Sequence, residues 1–298
     1  MKYYPYLCNP KQKKTNDNMN KKMIQEKGTG LRDRKNSHRS RLFYLFVGLI
    51  IALPTQAQML FSENMTMAID STKTIQGSLQ PVVDFKTEKE NVLTLKNTAN
   101  LNLLINCNRV INVINKFELS TYGSQVILSG GYVHMEYRYL LDHAFEVYPY
   151  AESQWAESRG MNHKISTGLQ SRYRLLNTQS SLMFAAVGFF FEYEKWEYPA
   201  PDNVEATYAY SRSIKSHLSL SYKLRIGEKW ELTTTAIHQT RPDSTFKEAR
   251  YGGAIDLKYN ITSTIGILGT YRLIYDTAPI VPIKKDYHSL EVGLNISF

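Results

Sequence analysis

The chain has 298 residues and a formal charge of +9. Met1–Ala57 holds 12 Lys/Arg and 3 Asp/Glu, whereas Gln58–Phe298 holds 24 of each sign, so the whole excess (12 − 3 = +9) sits in the first 57 residues. A neutral main body gives no electrostatic case for nucleic acid as a partner.

The first element is a leader. A basic stretch (Arg32, Arg34, Lys35, Arg39, Arg41) precedes the apolar run Leu42–Leu53, and Pro54-Thr55-Gln56-Ala57 follows. That order is the pattern of a secretory signal peptide. The run is too short to cross a bilayer of roughly 30 Å as a helix. Residues 1–31 are Lys/Asn-rich and unusual for a signal, so the start is expected at Met19 or Met23. Residues 58–72 are expected to form a short periplasmic segment, and 73–298 the folded body. After Ala57 only Cys107 remains, which excludes an internal disulfide and a Cys-based zinc site. No later stretch approaches eighteen continuous apolar residues, so the exported chain has no membrane-spanning helix.

From residue 73 onward, apolar and polar residues alternate with the period of two that marks strands with unlike faces. The spans read as 73–85, 91–106, 109–122, 130–141, 145–157, 163–176, 181–198, 208–224, 229–239, 249–259, 264–275 and 287–298. The seventh contains Phe189-Phe190-Phe191, where alternation is not clean. The last is the clearest: His288, Leu290, Val292, Leu294, Ile296 and Phe298 share one face. Connections after even segments are short and polar (Cys107-Asn108, Asp142–Ala144, Asn177–Ser180, Gly227-Glu228, Asn260–Ser263). Those after odd segments read as longer (Lys86–Glu90, Gly123–Ser129, Ser158–Asn162, Pro199–Thr207, Arg241–Glu248, Asp276–Asp286).

Twelve two-faced strands with alternating connections predict a transmembrane antiparallel up-and-down β-barrel of about twelve strands, with short periplasmic turns and longer external loops. Two aromatic bands agree with this: Trp155, Trp196, Tyr198, Tyr208, Tyr251, Tyr275 and Tyr287 near one end, Phe145, Tyr222, Trp230, Tyr259 and Phe298 near the other. A Lys or Arg facing lipid at mid-membrane costs roughly 2–4 kcal/mol. The charged faces must therefore look inward, and the lumen-lining set is Glu136, Arg138, Glu146, Glu152, Lys164, Arg172, Arg174, Lys215, Lys223, Asp256, Lys258, Arg272 and Glu291. Mixed signs favour a hydrated, ion-paired lumen over a channel of one sign.

The terminal strand, with Leu290, Val292, Leu294, Ile296 and Phe298 at alternate positions, resembles the C-terminal signal that outer-membrane proteins present to the barrel-assembly machinery. Its core is Leu294, Ile296 and Phe298. The stretch Phe145–Leu176 is similar to the central repeat of the salt-induced outer-membrane protein family. It carries Val147–Glu152, then Ser158-Arg159-Gly160-Met161-Asn162-His163, then Thr167–Leu176 ending in Tyr173-Arg174-Leu175-Leu176. The resemblance implies a bacterial outer-membrane barrel of uncharacterised role and brings no catalytic residues.

No catalytic, cofactor or metal site is expected. The seven histidines are scattered without metal-ligand spacing, and Gly28-Thr29-Gly30 lies in the leader. His217-Leu218-Ser219 has the spacing of an outer-membrane phospholipase pair, but alternation turns it toward the lumen, away from lipid. Three functions follow: a small channel or envelope component in contact with outer-membrane lipid and passing small polar solutes or ions; a barrel binding ligands through its long loops; and, least supported, a lipid-active enzyme.

Overall fold

The computed structural model describes residues 73–87, 91–106, 108–140, 144–157, 160–198, 207–244 and 247–298. The expected leader, residues 1–57, and the segment 58–72 lie outside them. The chain forms twelve antiparallel strands: β1 (Ile75–Thr87), β2 (Asn91–Asn106), β3 (Arg109–Tyr122), β4 (Gln125–Leu140), β5 (Phe145–Ala156), β6 (Met161–Asn177), β7 (Ser181–Tyr198), β8 (Thr207–Ile226), β9 (Trp230–Thr240), β10 (Ala249–Asn260), β11 (Ile265–Asp276) and β12 (Asp286–Ser297). Each pairs with its sequence neighbours, and β1 pairs with β12, so the sheet is a closed up-and-down barrel.

Closure depends on a short seam. Ser78 pairs with Ser297 and Leu79 with Ile296, and Gly77 and Phe298 exchange backbone bonds of 3.2 and 3.1 Å. In an antiparallel ladder each residue turns both backbone groups to one neighbour, alternately. Since Gly77 faces β12, so does Pro81, which has no N–H to give. The ladder between β1 and β12 therefore stops at Leu79, while β1 and β2 stay paired from Ile75 to Thr87.

The Phe189–Phe191 run does alternate. Phe189 and Phe191 are 59% and 43% exposed on the outer face, while Phe190 is 3% exposed inside. Phe190 stands opposite Gly168 on β6, and a Cβ on that glycine would lie 2.6 Å from the Cβ of Phe190. Gly168 thus makes the room that an inward phenylalanine needs.

One connection differs from its sequence reading. Gly123–Ser129 is not a loop: β4 begins at Gln125, and Gly123-Ser124 makes a tight turn with Gly123 at φ 58°. Glycine tolerates that left-handed backbone, and the β-branched residues Val126 and Ile127 extend the strand. At this end the first three connections (88–90, 123–124, 157–160) are short, and the long ones are the last three (199–206, 241–248, 277–285). Strands β6 to β8 are the longest, and β8 pairs with β9 only from Ser216 onward. Its first part, Thr207–Lys215, rises past β9, paired with β7 alone.

The outer face carries an apolar belt that includes Val83, Met135, Leu169, Val187, Ile214, Leu218, Ile255, Val292 and Leu294, all more than a third exposed. Three outward cations near the strand ends lie over rings: Arg109 over Tyr139 (5.8 Å), Lys195 over Tyr208 (4.7 Å) and Arg212 over Tyr193 (5.6 Å). The aromatic bands need one correction. Trp196 and Tyr287 are not on the outer face. Trp196 is buried inside at the long-loop end, and Tyr287 packs against the interior cluster Ile237, Ala254 and Ile274. The side chain of Tyr198 lies outside the described set.

Candidate functional site

The lumen is where the polar faces of all twelve strands converge. Glu136, Arg138, Glu146, Glu152, Lys164, Arg172, Arg174, Lys215, Lys223, Asp256, Lys258, Arg272 and Glu291 all turn inward, and most are engaged with an opposite charge. The interior divides into three levels along the barrel axis.

At the long-loop end, six charges form one network. Arg250 on β10 reaches past β9 and β8 to β7. Its Nη1 donates to both oxygens of Glu192 at 3.0 Å, its Nη2 to Glu194 at 2.7 Å, and its Nε to Asp276 at 2.8 Å. Lys164 and Lys215 hold Glu192 from either side at 3.1 and 2.5 Å. Trp196 Nε1 donates to Glu194 at 2.9 Å. Three cations meet three carboxylates, so the level is neutral. Such a buried set is tolerable only when every charge is paired and hydrogen-bonded.

In the middle, Lys116 on β3 bonds Glu291 on β12 at 2.9 Å, and Arg272 approaches the same carboxylate at 3.7 Å. His134 lies between Glu152 (3.2 Å) and Glu136 (3.3 Å), stacked on Tyr150 with ring centres 5.4 Å apart. Neighbouring amides are matched too: Asn112 Nδ2 donates to Asn100 (2.6 Å) and Asn102 (2.8 Å). Toward the short-turn end, Arg138 pairs with Glu136, and Arg172 donates to Glu146 at 2.5 Å while lying 4.2 Å from the Phe184 ring centre. Arg174 also stacks on Phe184, at 5.7 Å.

Sequence reading missed Lys116, Glu192, Glu194, Glu231, Arg250 and Asp276. Glu192 and Glu194 follow the phenylalanine run that obscured which face of β7 is inner. Arg250 and Asp276 lie at strand ends, where a period of two has too few residues to be read. The signal available for Glu192 and Glu194 was Phe190: once it is inward, 192, 194 and 196 must be as well.

A strap crosses the same end. The segment 277–285 leaves β11 and crosses to the opposite wall, where Val281, 3% exposed, packs with Ala156 (β5), Met161 (β6) and Trp196 (β7). Ile280, Ile283 and Ala209 (β8) complete the contact. Pro279 and Pro282 bracket Ile280-Val281 and stiffen the segment. Its base is tied to the charge network, because Asp276 accepts from Arg250 through Oδ2 and from the Ala278 N–H through Oδ1 at 3.1 Å. Thr277 Oγ1 accepts from Ala249 N–H and donates to Lys247 C=O, both at 2.8 Å. Beside it, just after β9, the hydrogen bond from Arg241 holds the Asp243 carboxyl below its usual range.

His217 and Ser219 are both buried within the lumen, with His217 Nδ1 3.2 Å from the Gln239 amide nitrogen. A site that cleaves membrane lipid would have to face outward. Leu294 and Phe298 are about half exposed on the outer face, and Phe298 closes the seam at Gly77.

No protein-family model matches the chain, and no curated protein matches it in sequence. Solved structures of barrels are similar to it. The NanC porin has a TM-score of 0.42 at 11% identity, covering 74% of this chain and 98% of that one. The translocator domain of the autotransporter NalP from Neisseria meningitidis has 0.44 at 10%, covering 74% and 87%. The KdgM porin has 0.39 at 9%, covering 75% and 99%. The barrel assignment rests on the strand register of this chain and not on these likenesses.

Proposed function

We propose that the protein is an exported barrel of a bacterial outer membrane that acts as a narrow, gated channel for ions and small polar solutes. The observation that carries this reading is the unequal covering of the two ends among the described residues. A lumen lined with charges is covered by a strap from the opposite wall, while Lys223 and Arg225 at the other end stay 23% and 32% exposed to water. The apolar belt supports the membrane setting, since soluble proteins rarely expose so continuous an apolar surface, and the rim charges fit interfaces at both ends. The leader supports export, the terminal strand supports delivery by the barrel-assembly machinery, and Phe145–Leu176 supports kinship with the salt-induced outer-membrane family. No catalytic step is part of this reading.

Planar-bilayer recording of the refolded chain tests it. The expected result is a mostly closed barrel with brief openings, converted to sustained conductance when residues 279–284 are replaced by a short Gly/Ser linker. Silence of both proteins at every voltage would sink the channel reading.

Ligand binding through the long connections is a second reading, favoured by the β7–β8 ribbon that rises beyond the rim with Lys195 over Tyr208. It would rely on 199–206, because 277–285 is folded inward. Removing 199–206 should abolish binding and leave the barrel folded.

A further inference from the structure

We infer that the outer face of β6–β8, at the level where the apolar belt ends, is a docking site for a membrane lipid with an anionic phosphate headgroup. Arg212 and Lys195 take the phosphate, and the rings of Tyr193, Tyr208 and Tyr210 surround it. The inference rests on the reading of the barrel as a membrane protein.

The belt stops at one level on all three strands. Thr167, Phe191 and Ile214 stand side by side, and Phe191 and Ile214 are 43% and 62% exposed. One outward step higher come Ile165, Tyr193 and Arg212, and the next brings His163, Lys195 and Tyr210. At about 3.3 Å per residue and a tilt of about 40°, residues 183–191 of β7 rise roughly 20 Å, most of an apolar band of about 25 Å. Tyr193 and Lys195 then lie at headgroup height. Above Ser216, β8 has no paired strand on its β9 side, so a headgroup can reach Arg212 from that flank as well as from the front.

The two cations can take a phosphate without breaking an ion pair. Arg212 lies over the Tyr193 ring at 5.6 Å, and Lys195 over Tyr208 at 4.7 Å and Tyr210 at 5.9 Å. A ring occupies one side of a cation and leaves its other N–H groups to an acceptor. Among the described residues neither cation pairs with a carboxylate. Glu197, on the same face, accepts from Asn162 Nδ2 at 3.1 Å, and Glu157 lies in the turn before β6. A guanidinium fork and an ammonium both suit phosphate oxygens. Tyr rings, apolar with one polar tip, suit the boundary between acyl chains and headgroups. A free anion would meet the cations alone. A lipid also lays its chains on Ile165, Phe191 and Ile214 below, so the surface selects the lipid.

The test uses the refolded full chain in neutral detergent. Bound phosphatidic acid is counted by native mass spectrometry, with phosphatidylcholine, whose choline offsets the phosphate charge, as the control lipid. Folding is first checked by the mobility shift between unboiled and boiled samples. With two cations at the membrane surface, phosphatidic acid should bind at least about fivefold more tightly than phosphatidylcholine. The double variant Lys195→Gln/Arg212→Gln should lose that preference, and Arg109→Gln at the opposite rim should keep it. Inorganic phosphate at the same concentration should not displace the lipid. Equal binding of both lipids by the wild type, a preference kept by the double variant, equal loss in Arg109→Gln, or displacement by inorganic phosphate overturns the site. Replacing 199–206, which carries Asp202 and Glu205, by a short Gly/Ser turn should leave the preference in place; its loss would put the site on that connection and overturn the placement on the strands. A barrel that conducts without any lipid preference refutes the site and upholds the channel, and a silent barrel with this preference does the reverse.

Discussion

Arg250 shows how much a single side chain carries in this lumen. It compensates three carboxylates from two other strands, Glu192 and Glu194 on β7 and Asp276 on β11. Removing one partner from a buried ionic group costs roughly 3–5 kcal/mol, because the others keep their desolvation penalty without the attraction that offset it. Arg250→Ala is therefore expected to lower barrel stability by about that much, read as an earlier midpoint in urea unfolding of the refolded protein. Arg250→Lys should fall between the two, since one ammonium lacks the fork that addresses three carboxylates at once. If Arg250→Ala unfolds at the wild-type midpoint, the network is not what holds this end together. The sequence pattern exposes Arg172 and Glu291, which lie mid-strand in unbroken alternation. It conceals Arg250, because a residue that bridges non-adjacent strands is defined by barrel closure, and no local period records that.

Individual elements were legible where their patterning is strong and blurred where backbone geometry decides. All twelve strands can be read from alternation, and eleven of the twelve spans match the observed ones within a few residues. The exception is β4. The sequence reading places a connection at Gly123–Ser129, yet the strand begins at Gln125 and the turn is only Gly123-Ser124. The strap was equally hidden: 277–285 reads as a polar-ended loop, and only the pocket formed by Ala156, Met161 and Trp196 gives Val281 a destination. Val281→Asp would bury an unpaired carboxylate there, at a cost of several kcal/mol. Since ~1.4 kcal/mol is tenfold in a population, the strap should be released at least tenfold more often. Faster trypsin cleavage at Lys284-Lys285 in proteoliposomes, with a higher open probability, is the expected reading; unchanged cleavage would mean that the apolar contact does not hold the strap.

Strand β1 invites the opposite kind of change. Pro81→Val restores an N–H facing Leu294 and should extend the seam by one ladder bond, worth about 1 kcal/mol. Slower amide hydrogen exchange at Val83 and Val292 would record it, and no change in exchange would show that something other than Pro81 ends the ladder.

At the scale of the whole molecule, the fold is an inversion of a soluble protein: charges inside, aliphatic side chains outside. The arrangement is stable only if the outside meets lipid, so the energetic cost of an outward charge must depend on depth. Leu169 lies at the centre of β6, 54% exposed on the outer face, whereas Tyr208 lies at the start of β8 where it rises past β9. In a bilayer, Arg at the midplane costs roughly 2–4 kcal/mol and near the interface about 0–1. Leu169→Arg should therefore destabilise the barrel refolded in vesicles by several-fold more than Tyr208→Arg does. In a water-soluble sandwich both substitutions would be near neutral, since each side chain would face water. Urea midpoints in phospholipid vesicles discriminate the two. Equal and small effects at both positions would mean that the apolar belt meets something other than lipid, and the reading of the interior as a trans-membrane lumen would go with it.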